Sequence, residues 1–221
     1  MSDDSPQKYV SDPSALSGTY RNHSVVMSSS GPVVAPDHPT LVYRFPSRSS
    51  DSRTLIASVL EAGWLHSTGY VHGIACVGTP SLVDRLALLG IVNSVITDWW
   101  ARRLVDRHVG SRIVSSIPLP DWDLADREFV AALVTGLLAD AGVNQLASGE
   151  SLIRPSPNGE LSQIERLAQI DALVFEGLGL SRSALGCFGA VATIIEDFKD
   201  TTAGVPAEYR QAIHTAVGQT E

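Results

Sequence analysis

Cysteine and long apolar runs are scarce in this chain. Its 221 residues include only two cysteines, Cys76 and Cys187, which are too few for a disulfide framework and fit a reducing compartment. No stretch approaches the roughly 20 consecutive apolar residues of a membrane span. The polar, acidic first residues, MSDDSPQKYVSDPS, do not resemble a secretory signal. These absences predict a cytoplasmic protein with no membrane partner.

Charged residues are also few, at 18% of the chain, whereas hydrophobic residues make up 44%. That apolar content is enough to build a core and excludes wholesale disorder. The formal net charge is -8. A negative total argues against a generic nucleic-acid binder, since such proteins present an excess of positive charge to phosphates.

The net charge hides an asymmetry along the chain. Residues 41–120 contain eight arginines, no lysine and five acidic residues, whereas residues 121–221 contain six basic and fifteen acidic residues. Arginine recognises phosphates and guanine edges through a planar, bidentate fork. A genome that prefers arginine codons would produce the same excess, so composition alone leaves both explanations open.

Composition and motif order divide the chain into three parts. Residues 1–40 are a polar segment rich in Ser, Gly and Pro, for which we expect mostly loop or tail and a short strand at Val25 and Val26. Residues 41–120 are predicted to form an α+β part. Residues 121–221 are predicted to form an acidic helical part that serves as a scaffold or docks a partner.

The apolar pattern predicts an α+β fold. An alternating, aromatic-rich run predicts a strand at 41–45, and two further apolar runs predict strands at 54–60 and 63–77, the last interrupted at Gly69 or Gly73. Pro80, followed by apolar residues at spacings of three and four, predicts one long helix over 80–107. Helical spacing and the capping box that starts at Ser162 predict four more helices, at 124–142, 162–177, 183–198 and 206–217. The result is a small, mainly antiparallel sheet packed on a long helix, followed by a helical C-terminal half.

Signatures of common catalytic sites are absent. The sequence has no phosphate-binding G-x-x-x-x-G-K-[ST] loop, no strand-linked G-x-G-x-x-G and no G-x-S-x-G elbow. It also lacks the Asn-Pro-Pro-aromatic tetrapeptide with which adenine methyltransferases grip the flipped base. We therefore expect no cofactor and no catalysis by this chain alone.

Two weaker constellations of potential metal ligands are present, and we favour a purely structural role for both. His66, His72 and Cys76 share strand parity, but their spacing matches no standard zinc site. A metal-dependent nuclease could use Asp121 together with Asp197 and Lys199. The two halves of that motif are far apart in sequence, so a loop aspartate and a solvated helix end are the favoured interpretation.

Three ordered segments resemble one known family. The first is LVYRFPSRSSDSRTLIASVLEAGW at 41–64, with an Arg-bearing loop and R-T-L-I-A. The second is LALLGIVNSVITDWWARRLVDRHVGSRIVSSIPLP at 86–120, with A-L-L-G-x-x-N-S, an aromatic pair, a basic stretch and an I-P-L-P exit. The third is IERLAQIDALVFEGLGLSRSAL at 164–185, with D-A-L-V and G-L-S. Together they are similar to the TaqI-like target-recognition region that follows the catalytic domain in γ-class N6-adenine DNA methyltransferases, including type IIG restriction-modification enzymes and phage-defence methyltransferases.

The resemblance implies that the chain binds double-stranded DNA and chooses the site that an N6-adenine DNA methyltransferase catalytic subunit or domain modifies. The family's catalytic core is not among these residues. The resemblance therefore implies a separately encoded specificity subunit, a split-gene half or an excised domain. The chain also departs from the family at Ala184, where an acidic residue is frequent.

The residues that we assign to DNA lie in the first loop and in the basic stretch that ends the long helix. They are Arg44, Arg48, Ser49, Arg53, Arg102, Arg103, Arg107, His108 and Arg112. Arg48 and Arg53 are the best candidates for phosphate or guanine contacts, against the alternative of a solvated hairpin loop. The second cluster either faces DNA or serves the helix C-terminus through i,i+4 pairs with Asp98 and Asp106.

Two other functions stay open at this point. One is a protein-interaction module, or a truncated remnant, that has lost DNA binding. The other is the nuclease described above.

Overall fold

The computed structural model describes most of the chain from residue 38 onwards and three short strands before it. The described residues are 19–21, 25–28, 31–34, 38–62, 64–66, 71–74, 76, 80–143, 145–147, 150–151, 161–180, 187–198 and 205–219. Their strands are β1 (Thr19–Arg21), β2 (Val25–Ser28), β3 (Gly31–Val34), β4 (Thr40–Arg44), β5 (Ala57–Leu60), β6 (Trp64–His66), β7 (Val71–Gly73), β8 (Gln145–Ala147) and β9 (Glu150–Ser151). Their helices are α1 (Leu82–Asn93), α2 (Val95–Leu104), α3 (Ser111–Val114), α4 (Leu124–Asp140), α5 (Gln163–Gly177), α6 (Cys187–Asp197) and α7 (Ala207–Gln219).

Strand β4 is the centre of a three-stranded antiparallel sheet with the order β5-β4-β7. Side chains alternate across a strand, so Leu41 and Tyr43 join the main core while Val42 packs with Leu60 and Val71 in a second buried cluster. Both faces of β4 are thus buried. The predicted small antiparallel sheet, and the α+β class with a helical C-terminal half, are confirmed.

The segment before β4 contains more strand than its composition predicts. The predicted pair Val25 and Val26 lies in β2, which forms an antiparallel hairpin with β3. The strands β1 and β3 were not predicted. Gly31 and Pro32 argue against a strand in the sequence, because both residues are rare inside strands. Proline is tolerated where a strand has a free edge, and a two-stranded hairpin provides one.

The predicted third strand is two strands. β6 pairs with β1, whereas β7 pairs with β4 in the central sheet. Gly73 is the last residue of β7, and Gly69 lies outside the described residues. The expected interruption is therefore confirmed, and it moves the chain from one sheet to another.

The predicted long helix over 80–107 is wrong in one respect, because it breaks at Ser94. This residue has an extended backbone (φ -67°, ψ 155°) and is both the C-cap of α1 and the N-cap of α2. Its hydroxyl donates to Ile91 O and accepts from Thr97 N, so the side chain replaces helical backbone bonds on both sides. α2 then ends at Leu104, which leaves Arg107 and His108 beyond the helix.

The helices of the acidic part begin and end where the caps predict. Ser162 and Glu165 form the predicted capping box at α5. Gly142 and Gly179 follow α4 and α5 with φ of +86° and +73°, a conformation that glycine adopts without steric cost. Over the part of α6 and α7 that the structure describes, the predicted helices are likewise confirmed.

One cluster of buried side chains extends from Leu41 in β4 to Val217 in α7. Helix α1 packs on α4, and α5 packs on both α4 and α7. Helices α1 and α4 are close at Gly90, where an added Cβ would lie 2.9 Å from the Val130 side chain. Residues 41–120 and 121–221 thus share a core. Among the helices of the described residues, none is long and apolar enough to cross a membrane.

Candidate nucleic-acid interface

The break between α1 and α2 is stabilised by a buried arginine from the first loop. Arg53 is 9% exposed, and its guanidinium donates to Asn93 O over 2.6 Å. Its Nε lies 3.7 Å from Asp98 Oδ1. The last carbonyls of a helix have no partner within the helix, so a cation at this position satisfies them and complements the helix dipole.

Two side chains of the helix pair attach it to the edge of the sheet. The Asn93 amide bonds both backbone groups of Ala57, with Oδ1 accepting from N over 2.9 Å and Nδ2 donating to O over 3.0 Å. Asp98 Oδ1 accepts from Leu55 N over 2.8 Å. These bonds extend the hydrogen-bonding edge of β5 and cover it, which blocks pairing with another strand.

A carboxylate from the C-terminal half completes this arrangement. Asp171 on α5 is fully buried, and its Oδ1 accepts from Val95 N, the first amide of α2, over 2.7 Å. Its Oδ2 accepts from the Tyr209 hydroxyl on α7. Burial raises the pKa of Asp171 to about 6, against the opposing hydrogen bonds from Tyr209 and Val95 and the charge of Arg53.

We call these five residues the junction network; they are Arg53, Asn93, Ser94, Asp98 and Asp171. Each of the three segments that resemble the DNA methyltransferase family contributes to it: R-T-L-I-A supplies Arg53, A-L-L-G-x-x-N-S supplies Asn93 and Ser94, and D-A-L-V supplies Asp171. The sequence motifs therefore meet in space, in contacts that maintain the fold. Sequence analysis missed these roles, because a paired polar side chain and a ligand-binding one look alike in one sequence.

A second buried arginine fixes the first loop against α2. Arg102 Nε is 2.9 Å from Asp98 Oδ2, which confirms the i,i+4 pair. Its terminal nitrogens donate to three backbone carbonyls of the loop, those of Ser49 at 3.0 Å, Asp51 at 2.7 Å and Ser52 at 2.6 Å. The side chain is only 9% exposed. Three carbonyls and a carboxylate use the donors of this guanidinium, so it acts as a clamp on the loop.

Arg44 and Asp51 fix the two ends of the same loop. Arg44 donates to the Asp51 carboxylate over 2.9 Å and to Arg53 O over 2.7 Å. The Asp51 carboxylate also accepts from Arg48 N, and the Thr54 hydroxyl donates to Arg48 O. The backbone at Arg48 is therefore held on both sides while its side chain is exposed.

Four of the residues that we assign to DNA are bonded within the protein. Arg53 and Arg102 are buried and bonded within the protein, so neither guanidinium is presented to a ligand. Arg44 is bonded to Asp51, and Arg103 forms an ion pair with Asp197 and stacks 3.7 Å from the centre of the Trp99 ring. Composition could not separate these arginines from exposed ones.

The remaining predicted residues lie on the clamped loop itself, which carries Arg48 and Ser49, or in the segment after α2, which carries Arg107, His108 and Arg112. Arg48, Arg107 and Arg112 are exposed, and no carboxylate of the described residues forms an ion pair with them. His108 Nδ1 is 3.2 Å from Ser47 O, which brings the segment after α2 against the loop. We call this surface the arginine rim; it consists of Arg48, Ser49, Arg107, His108 and Arg112.

Aromatic rings pack against His108 of the rim and against the neighbouring His72. Phe45 stacks on His72 with a centroid distance of 4.2 Å and meets His108 edge-on at 5.4 Å. The Tyr43 hydroxyl lies 3.2 Å from His72 Nδ1. These contacts orient His72 and His108 through ring packing and backbone or hydroxyl partners.

The two weaker constellations gain no support from the described residues. Asp197 accepts from Trp99 Nε1 over 2.7 Å and pairs with Arg103, and these two bonds lower its pKa. Asp121 is exposed in the loop before α4, and Lys199 lies outside the described residues. Within the described ranges no group of three His, Cys, Asp or Glu side chains is arranged to hold a metal ion. The side chains of His66 and Cys187 are not described.

Comparisons of the chain with protein-family models, with curated proteins and with solved structures give no match.

Proposed function

We propose that this chain recognises double-stranded DNA sequence-specifically, as the specificity subunit or domain of an N6-adenine DNA methyltransferase in a restriction-modification or phage-defence system. The observation that carries the proposal is the junction network, in which residues of all three resembling segments interlock. The three segments are far apart in sequence, and the fold joins them through the bonds of Arg53 to Asn93 O and of Val95 N to Asp171.

The arginine rim is the surface through which DNA would be bound. Arg48 projects from a loop whose backbone is fixed by Arg102, so little backbone entropy is lost when its side chain contacts a phosphate or a guanine edge. Arg107, Arg112 and the Ser49 hydroxyl add phosphate partners. Neutralisation of three phosphates by the three arginines predicts a slope of about -2.7 for log affinity against log salt, or a loss of about 40-fold between 50 and 200 mM salt.

The catalytic step belongs to a cytoplasmic partner that carries the methyltransferase core and its S-adenosylmethionine. In this proposal the present chain supplies site choice and does not methylate alone. A partner that shares the DNA site across an interface would raise the sequence preference of the chain above what the rim provides.

Selection from a pool of random duplexes tests the proposal. The chain is incubated with the pool at two salt concentrations, with and without the candidate methyltransferase, and bound DNA is sequenced. The proposal predicts enrichment of one sequence, which is lost when Arg48, Arg107 and Arg112 are changed together to Gln and retained in the matched control Arg210→Gln. Absence of binding at low salt under every condition would contradict it.

A protein-interaction module that has lost DNA binding is the second candidate, and one observation favours it. Four of the arginines expected at DNA, namely Arg44, Arg53, Arg102 and Arg103, are bonded within the protein. This candidate predicts that the affinity for duplex DNA depends weakly on salt. It also predicts that substitutions in the arginine rim leave that affinity unchanged.

A further inference from the structure

Large apolar side chains are exposed at the start of α4 and in the loop before it. Leu119 is 66% exposed, Leu124 is 57% and Phe129 is 51%. Within the described ranges the only other large hydrophobic side chain in this class is Leu104 on α2, at 46%. Three such side chains within eleven positions form a concentration of apolar surface, whereas single exposed leucines are ordinary.

The exposed residues in the first two turns of α4 lie on one side of the helix. Leu124, Ala125, Glu128 and Phe129 are exposed, and at 100° per residue they cover an arc of about 140°. The opposite side is in the core, beginning with Val130. We call Leu124, Ala125, Glu128 and Phe129, together with Leu119 in the loop five positions before the helix, the α4 face. It is not part of the junction network or of the arginine rim.

The surroundings of the α4 face are acidic. Asp121, Asp123 and Glu128 are exposed beside its apolar side chains, and the nearest cation along the helix, Arg127, is paired with Asp84. Asp123 has a structural reason for its position, because its carboxylate caps α4. Glu128 lies beyond the first turn, and its charge has no capping role.

We propose that the α4 face docks an amphipathic helix of a partner protein whose apolar side is flanked by lysines or arginines. An apolar strip bordered by carboxylates matches a basic amphipathic helix in both hydrophobicity and charge, and helices commonly pack along an exposed helix. Like charges oppose docking of the same face from a second copy. They also oppose docking of residues 1–18, which carry three aspartates and one lysine. The inference does not depend on DNA binding, because the rim contributes no residue to it.

A synthetic helix is a direct probe. An 18-residue fluorescent peptide with leucines at i, i+3, i+4 and i+7 and lysines elsewhere is titrated with the full chain, and anisotropy reports binding. We expect saturable binding that weakens about tenfold or more in the double variant Leu124→Ser and Phe129→Ser, because each side chain loses its apolar contact. The double variant Asp121→Asn and Glu128→Gln is expected to weaken binding about threefold and to reduce its salt dependence.

Two matched controls separate the α4 face from general stickiness. Leu104→Ser removes an exposed leucine elsewhere, and Glu208→Gln removes an exposed carboxylate of α7. Both should leave peptide affinity unchanged. Circular dichroism checks that each variant is folded, and Phe129→Arg, a single exposed substitution, repeats the test if the double variant unfolds.

Several outcomes would overturn the inference. It is wrong if the peptide does not bind, if Leu104→Ser weakens binding as much as the α4 face variants do, or if a peptide with glutamates in place of lysines binds equally well. It is also wrong if light scattering shows a dimer that the Leu124→Ser and Phe129→Ser changes convert to a monomer, because the occupant would then be a second copy.

Discussion

Five arginines between the first loop and α3 fall into two groups with opposite surroundings. Arg53 and Arg102 have side-chain exposures of 11% and 9% and bond to backbone carbonyls and to Asp98, whereas Arg48, Arg107 and Arg112 are exposed. A guanidinium with five donors can satisfy a helix end and a loop at once. The comparison shows that some arginines of this chain stabilise the fold through hydrogen bonds inside the protein, whereas others keep their charge exposed on the surface.

The two groups are connected through the loop backbone. Arg102 holds the carbonyls of Ser49, Asp51 and Ser52, so the inner arginine fixes the segment from which Arg48 projects. If this division is real, substitutions in the inner group should act on the stability of folding and substitutions in the outer group on binding.

The largest expected effect is from Arg102→Ala. It leaves the buried Asp98 carboxylate without its closest cation and three loop carbonyls without donors. Breaking a buried pair costs about 3–5 kcal/mol, and we expect the free energy of unfolding to fall by that order. The matched substitution Arg107→Ala should change it by less than about 0.5 kcal/mol. Urea denaturation measures both, and equal effects would remove the distinction between inner and outer arginines.

A smaller effect is expected from Asp171, and it depends on pH. Because the folded-state pKa is about 6 and the ordinary value is 3.8, the folded protein binds its proton more tightly. The contribution of Asp171 to stability is therefore fully present below about pH 4 and is lost as pH rises through 6, with a total change of about 2–3 kcal/mol.

The isosteric variant Asp171→Asn isolates the pH-dependent contribution of Asp171 to the free energy of unfolding. As the pH rises from 4.5 to 7.5, the unfolding free energy of the protein should fall relative to that of the variant. Subtraction removes the opposite contributions of Asp84, Glu165 and Asp197, whose pKa values are lowered and whose stabilisation is lost as pH falls. A difference that stays constant or moves the other way would refute the assignment.

The parts of the fold that depend on local signals could be predicted from the sequence. Alternation located β4, and the Ser162 capping box and terminal glycines located α5 and α4. The break at Ser94 could not be predicted, because the apolar spacing continues through it and its stabilising partner, Asp171, is 76 positions away. The i,i+4 spacing predicted the pair of Arg102 with Asp98, but the carbonyls that bond Arg53 and Arg102 are brought opposite them by tertiary structure, so no local pattern predicted the burial of either guanidinium.

The next prediction concerns the outer group. Arg48→Gln should leave urea denaturation unchanged within about 0.5 kcal/mol and should weaken binding to a selected duplex by about 1–3 kcal/mol if Arg48 reads a base edge. Selection with the variant distinguishes the two contact types. Relaxed preference at one position indicates base recognition, and uniform weakening indicates a phosphate contact. A variant that binds as the original chain does would remove Arg48 from the interface.

The smallest effect is expected from Ser49→Ala. Its carbonyl, which Arg102 clamps, is retained, and only the exposed hydroxyl is removed. Loss of one hydrogen bond to DNA should cost about 0.5–1.5 kcal/mol in affinity and nothing measurable in stability. Fluorescence titration with the same duplex gives the value, and a fall in stability instead would place Ser49 with the inner group.

The most direct test of DNA recognition through the arginine rim is the salt dependence of duplex binding. Affinity is measured between 50 and 200 mM salt for the original chain, for the triple variant Arg48→Gln, Arg107→Gln and Arg112→Gln, and for Arg210→Gln. The account predicts a log–log slope of about -2.7 for the original chain and the control, and a slope near zero for the triple variant. Equal slopes for all three proteins, or no binding at 50 mM salt, would contradict it.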